Sequence, residues 1–257
     1  MRLIHVWACL TVAVMVSLTI GSAPVQAAAF AVPCTDARGC PDFVPVTTRH
    51  RAFFIVDRTF LGSDCAVQEG MAQEGERRLL RFAVEAGNFG AGDLVVGAPA
   101  ERPDLFEWSP CHGHFHFLGF ADYRLWAPDA YAVWRQVRDA NPDVPASLLM
   151  ASAGIAAPTG AGKRAFCMED TVPLLGSDAA AGGPTYSCEN QGISTGWSDI
   201  YGNSLDGQWI DVTGVPSGRY VVELELNPER IFEEAIFGNN AVSVTVVIGD
   251  HPGNVRD

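Results

Sequence analysis

Lysine is almost absent from this chain. Of the 17 basic residues among 257, 16 are arginine and one, Lys163, is lysine, so chemistry that needs a side-chain primary amine has a single candidate. Basic charge is scarce altogether: 17 Lys and Arg face 30 Asp and Glu, for a formal net charge of −13. That balance excludes a basic phosphate-tracking surface, and with it nucleic acid as a partner. An acidic protein attracts cationic substrates instead. Beyond the N-terminus no apolar run approaches the ~18 residues of a membrane span, so stable membrane insertion is not expected. There is no CxxC pair to suggest structural zinc and no HExxH motif of a zinc protease. With 48% hydrophobic residues the chain is long enough to bury a sizeable core.

Residues 1–27 read as a secretory signal peptide. Arg2 supplies the positive start, Leu10 to Ile20 is a short apolar run, and Val25-Gln26-Ala27 is a small-residue cleavage site. The remaining 28–257 would form one exported domain. Cleavage removes Cys9 and leaves Cys34, Cys40, Cys65, Cys111, Cys167 and Cys188. An even set in an exported chain reads as disulfides, and six cysteines allow fifteen connectivities. Cys34 and Cys40 flank Arg38-Gly39 closely enough for a local bridge.

The sequence predicts a mainly β fold: a single β-sandwich-like domain with long loops and few short helices. Arg51–Val56, Arg78–Glu85, Gln208–Thr213, Arg219–Leu226 and Ala241–Ile248 are rich in β-branched and aromatic residues. Tyr220, Val222, Leu224 and Leu226 alternate with Glu223 and Glu225, which assigns the two sets to opposite faces. Segments 142–162 and 174–184 read as insertion-like loops, with one short helix over Ala146–Ala153.

The densest chemistry lies in Cys111-His112-Gly113-His114-Phe115-His116-Phe117. On a strand the three histidines share one face at spacings of roughly 7 Å, so the outer pair would stand roughly 14 Å apart. One metal can join all three only if the chain bends, and Pro110 and Gly113 permit that. Imidazole suits copper, zinc, iron and nickel alike.

The wider context, Trp108-Ser109-Pro110-Cys111-His112-Gly113-His114-Phe115-His116, resembles the copper-binding stretch of the lysyl oxidase family. Pro41-Asp42-Phe43-Val44-Pro45, Leu79-Leu80-Arg81-Phe82, Phe166-Cys167-Met168-Glu169-Asp170-Thr171, Gln191-Gly192-Ile193, Asp199-Ile200-Tyr201-Gly202 and Gln208-Trp209-Ile210-Asp211-Val212-Thr213 follow that family in order. The resemblance covers about residues 41–248 and implies a bacterial-type secreted member. It implies copper on His112, His114 and His116, and a lysine tyrosylquinone built from Lys163 and Tyr201. The sequence's only lysine thus stands where that cofactor needs one. The implied reaction converts primary amines, such as peptidyl lysine, with molecular oxygen into aldehydes, hydrogen peroxide and ammonia. Asp199 and Asp206 lie near enough in sequence to Tyr201 to be candidates for the general base. The alternatives are a non-enzymatic copper-binding sandwich, which needs neither Lys163 nor Tyr201, and a three-histidine zinc hydrolase.

The sequence also departs from the family. Trp197, Gly207, Pro173 and Met71 stand where the family has cysteine. The family pattern implies a Cys111–Cys188 bridge, and Cys65 and Cys167, each without its family partner, are then expected to pair with each other. Asp42, Glu234, Asn239 and Asn240 match a calcium pattern of animal members, with Ile236 in place of a second carboxylate.

Overall fold

The computed structural model describes residues 30–46, 53–165, 167–178 and 182–255, without the side chains of 161–166 and 254. The signal segment 1–27, the first two residues of the strand expected over Arg51–Val56, and positions 179–181 of the second loop lie outside the described residues. The first half runs β1 (Phe43–Pro45), β2 (Phe54–Phe60), α1 (Cys65–Gln68), β3 (Gly75–Arg81), β4 (Val84–Asn88), β5 (Leu94–Gly97), β6 (Phe106–Ser109), β7 (His114–Trp126) and α2 (Pro128–Ala140). Then come α3 (Ala146–Ala153), β8 (Thr159–Ala165), β9 (Val172–Pro173), β10 (Gln191–Ile193), β11 (Trp197–Tyr201), β12 (Trp209–Asp211), β13 (Gly218–Leu226), β14 (Ala241–Ile248) and β15 (Gly253–Asn254).

The fold is mainly β, built of several antiparallel sheets with no closed barrel. One sheet has the order β1-β4-β11-β9, another β12-β3-β2-β15, and β10 pairs with β5. The largest has the order β14-β13-β7-β6, with β8 also paired to β7. A shared core draws Phe43, Phe117, Phe120, Tyr201, Ile210 and Leu224 from all three larger sheets, with Phe82 and Phe232 from the segments between strands.

Alternation located β14 and β13 well, and the expected Ala146–Ala153 helix has those bounds. The segment Arg78–Glu85 instead divides, because the chain leaves one sheet after Arg81 and enters another at Val84. Thr159–Gly162, read as loop, opens strand β8. Its glycine is required by packing: a Cβ at Gly160 would lie 2.3 Å from the Tyr123 carbonyl oxygen.

The expected faces of β13 hold, but from Val221 to Leu226 both faces are buried. Helix α2 begins on Pro128, an N-terminal position that needs no amide hydrogen, and lays Trp134 over Trp126 with ring centroids 5.8 Å apart. Glu223 accepts from the indole nitrogens of Trp134 and Trp126, at 2.9 and 3.1 Å. Glu225 meets Arg124 at 2.6 Å and Arg230 at 3.0 Å, and also pairs with Arg138 of α2. Burial pushes Glu223 up, whereas the three guanidiniums around Glu225 overcome its burial and hold that carboxyl low. Removing a single partner from such a network would strand a buried charge, at a cost of about 3–5 kcal/mol.

The cysteines correct two expected pairings. Cys34–Cys40 is formed, with Cα atoms 5.1 Å apart. Cys111 pairs with Cys65 rather than Cys188, because α1 docks beside the turn between β6 and β7 and brings the two Cα atoms to 5.6 Å. Cys167 pairs with Cys188 at 5.0 Å rather than with Cys65. The segment after β8 runs beside residues 185–192, as Gly192 N donating to Met168 O and Thr185 N donating to Asp170 Oδ2 show. Three bridges fit an oxidising compartment. Among the described residues no helix is long and apolar enough to cross a membrane.

Peptide mapping without reduction should therefore return Cys65–Cys111 and Cys167–Cys188 as linked pairs, and no Cys111–Cys188 species. By loop-closure entropy, the Cys65→Ser/Cys111→Ser variant should lose about 4 kcal/mol and the Cys167→Ser/Cys188→Ser variant about 3 kcal/mol in denaturant unfolding.

Candidate active site

The histidines do not lie along one straight strand. Strand β7 starts at His114, and His112 belongs to the preceding turn, closed by Gly113 N donating to Ser109 O at 2.8 Å. Gly113 takes φ +72°, a left-handed conformation, and a Cβ there would meet nothing within 4 Å; the backbone angle, and not space, asks for glycine. This bend folds His112 back over the strand. The ring centroids of His112, His114 and His116 then lie 5.1–5.8 Å apart. Burial, reinforced by the nearby His112, lowers the pKa of His114 and so favours the neutral imidazole that a metal requires.

A carboxylate unnoticed in the sequence joins them. Glu69 follows α1, and its oxygens lie 3.2 Å from His112 Nδ1 and 3.7 Å from His116 Nδ1. Among the described residues, Glu69, His112 and His116 place candidate ligand atoms within 4.8 Å of one another. Ser109 Oγ donates to Glu69 and accepts from the His112 backbone amide at 2.9 Å. Only the position of Glu69 shortly after Cys65 could have hinted at this, and then only with the bridge to Cys111 known.

Tyr201 ends β11, the strand between β4 and β9, with its ring buried against Phe120 at a centroid distance of 4.7 Å. Its hydroxyl donates to the Cys167 carbonyl at 2.7 Å and lies 2.5 Å from Asp199 Oδ2. Burial pushes the Asp199 carboxyl up to about 8, against the opposing Tyr201 hydrogen bond. Burial together with Asp199 also raises the Tyr201 phenol. A phenol has one proton for two acceptors, so the protonated Asp199 can supply the second.

A cavity of about 540 Å³ joins these groups; His112 and His114 line it together with Asp199, Tyr201, Glu169 and Asp206. The two base candidates separate here: Asp206 is paired with Arg58 at 3.1 Å, whereas Asp199 touches the Tyr201 hydroxyl. Burial also raises Glu169, whose backbone amide donates to Asp199 at 3.4 Å. The backbone of Lys163 lies on β8, in register with Ala121, the neighbour of the Phe120 that packs on Tyr201. The Lys163 side chain lies outside the described residues.

The expected calcium residues form hydrogen-bonded pairs. Asn239 Nδ2 donates to both oxygens of Asp42, at 2.9 and 3.1 Å. Glu234 Oε1 accepts from Asn227 and Asn240, and Oε2 from the Phe43 amide. Calcium requires six to eight oxygens, and both carboxylates here are already engaged by N–H donors. Oδ1 of Asn239 and Oδ1 of Asn240 are buried without a hydrogen-bond partner among the described residues, and no chemical step is assigned to the ion.

A family model described as lysyl oxidase matches residues 59–133 and 150–257. Lysyl oxidase homolog 1 of Homo sapiens is 31% identical over 228 residues, covering 83% of this chain and 34% of that protein. Lysyl oxidase homolog 3B of Danio rerio is 30% identical, covering 77% of the chain and 22% of the relative. Protein-lysine 6-oxidase of Sus scrofa is 27% identical, covering 83% and 78%. The chain thus spans about a third of the length of homolog 1.

Buried Asp199 makes a pH prediction possible. Its folded-state pKa of about 8 exceeds the ordinary 3.8, so the folded chain holds a proton that the unfolded chain releases between those values. This contribution to stability is full below pH 3.8 and falls away as pH rises to about 8. In metal-free protein, Asp199→Asn should melt with the parent at pH 4 and above it at pH 8, as read by thermal unfolding across pH.

Proposed function

The chain belongs to the lysyl oxidase family, and we propose that it is an exported copper-dependent amine oxidase acting on primary amines. The observation that carries this reading is the single cavity lined both by imidazoles of the histidine cluster and by Tyr201. His112, His114 and His116 would hold copper, and Lys163 and Tyr201 would supply a lysine tyrosylquinone. Together these groups would provide the redox capacity for a primary amine, water and oxygen to become an aldehyde, ammonia and hydrogen peroxide.

The chain's own residues supply the rest. Cys167 O and Asp199 Oδ2 fix the Tyr201 hydroxyl from two sides, and Phe120 holds its ring. Asp199 Oδ2 is the atom placed to hold and move a proton, because a pKa near the working pH suits both acid and base roles. The walls carry Glu169, Asp199 and Asp206, in a chain of net charge −13, which favours cationic amines such as a lysine side chain or a diamine. Residues 1–27 would direct export, and 28–257 would form the catalytic domain.

The test is copper loading under oxygen followed by phenylhydrazine. A coloured adduct should form, and digestion should give one cross-linked peptide containing Lys163 and Tyr201. Lys163→Arg should abolish both, since guanidinium stays protonated and is a poor nucleophile. Active, fully oxidised enzyme that yields two unmodified peptides would refute the reading. A copper store or zinc hydrolase would give neither adduct nor cross-link.

A further inference from the structure

We propose that Glu69 is the positioning carboxylate of the metal centre: it holds His112 and His116 by their Nδ1 edges and thereby presents Nε2 of each ring to the metal. The inference rests on the histidine-metal reading above and assigns a role to a residue outside the histidine motif.

Three observations point the same way. The nitrogen paired with Glu69 is Nδ1 in both rings, and each ring takes a different carboxylate oxygen: Oε1 at 3.2 Å from His112 and Oε2 at 3.7 Å from His116. One carboxylate therefore faces two imidazoles, within hydrogen-bond reach of His112 Nδ1 and as a charge beside His116 Nδ1. Glu69 also stands behind the rings. The cavity that reaches Tyr201 is lined by His112 and His114, but not by Glu69, so a metal facing the cavity meets the His112 ring from the side away from the carboxylate. Finally, Glu69 is itself held. Ser109 Oγ–H donates to Oε1, and the Cys65–Cys111 bridge ties α1, which ends just before Glu69, to the residue preceding His112.

The chemistry follows from the two states of imidazole nitrogen. A neutral ring carries one proton and one lone pair, and only the lone pair binds a metal. A carboxylate beside Nδ1 favours the tautomer with the proton there, which leaves the Nε2 lone pair for coordination and raises its basicity.

The experiment uses metal-free protein with all disulfides formed, loaded with Zn²⁺ for nitrogen NMR of the imidazoles and with Cu²⁺ for chelator competition. In the parent, His112 and His116 should show protonated Nδ1 and metal-bound Nε2. Glu69→Gln should bind Cu²⁺ about 10–100-fold more weakly, the usual cost of losing such a partner, and should lose the fixed Nδ1–H signals. Ser109→Ala should fall in between; it keeps the carboxylate and serves as the second variant should Glu69→Gln fold poorly. Parent spectra with Nδ1 bound to the metal would overturn the inference, as would Glu69→Gln binding with unchanged affinity and tautomers. If the parent itself takes up no stoichiometric metal, the copper reading fails and this inference falls with it. Metal bound by the parent and equally by Glu69→Gln overturns the role of Glu69 alone.

Discussion

Extended backbone places alternate side chains about 7 Å apart, too far for three imidazoles in one strand to share an ion. The turn from Ser109 to Gly113 removes that obstacle, and much of the site depends on it. It lifts His112 out of the strand direction, leaves His114 and His116 on β7, and gathers three rings whose centroids span 5.1–5.8 Å. The turn is held from outside by the Cys65–Cys111 bridge and from within by Ser109 Oγ, which receives the His112 amide. A glycine able to adopt positive φ, a serine and a disulfide thus together convert a period-two pattern into a cluster.

The second half of the cavity is organised by burial. Asp199 and Tyr201 are two residues apart on β11, and their side chains meet in the interior at 2.5 Å. Low dielectric makes the loss of a proton from either one costly, so the pair keeps its protons until something in the site displaces them. The contrast with Glu225 is instructive. Both carboxyls are buried, but Glu225 has three arginines around it and is held in its charged form, while Asp199 faces a phenol and is held neutral. At similar depth, burial alone keeps Asp199 protonated, and it takes the arginines around Glu225 to keep that carboxyl charged.

Much of this was legible from the chain because the decisive groups are local. Three histidines within five residues, and Asp199 beside Tyr201, can be read without knowing the fold. Alternation likewise revealed β13 and β14. Information carried by contacts between distant segments was not available. Glu69 lies 40 positions before Ser109 and becomes part of the site only when α1 docks. The disulfide partners of Cys65 and Cys167 follow from that same docking and from the 185–192 segment, and family spacing pointed to other pairs. Helix α2 was hidden because Tyr131, Trp134 and Val137 suit a strand as well as a helix until Trp126 provides a surface for them.

Strand β7 carries His114 and His116 at one end and, a few residues on, Ala121, the register partner of Lys163. The backbone between them therefore sets their spacing, through a register step against β8 between Phe117 and Ala121. Beyond that step, inserting or deleting one residue would turn every following side chain to the opposite face and shift the pairing with β8 and β13 at once. The stretch between the two family-matched segments, 134–149, is under no such rule: it runs through α2 into α3 on the outside of the sheet, where the chain can gain or lose length so long as Trp134 and Arg138 still reach Glu223 and Glu225. Length along β7 is therefore tied to the histidine cluster and to the lysine-bearing strand at once, whereas length between α2 and α3 is tied only to the two buried carboxylates.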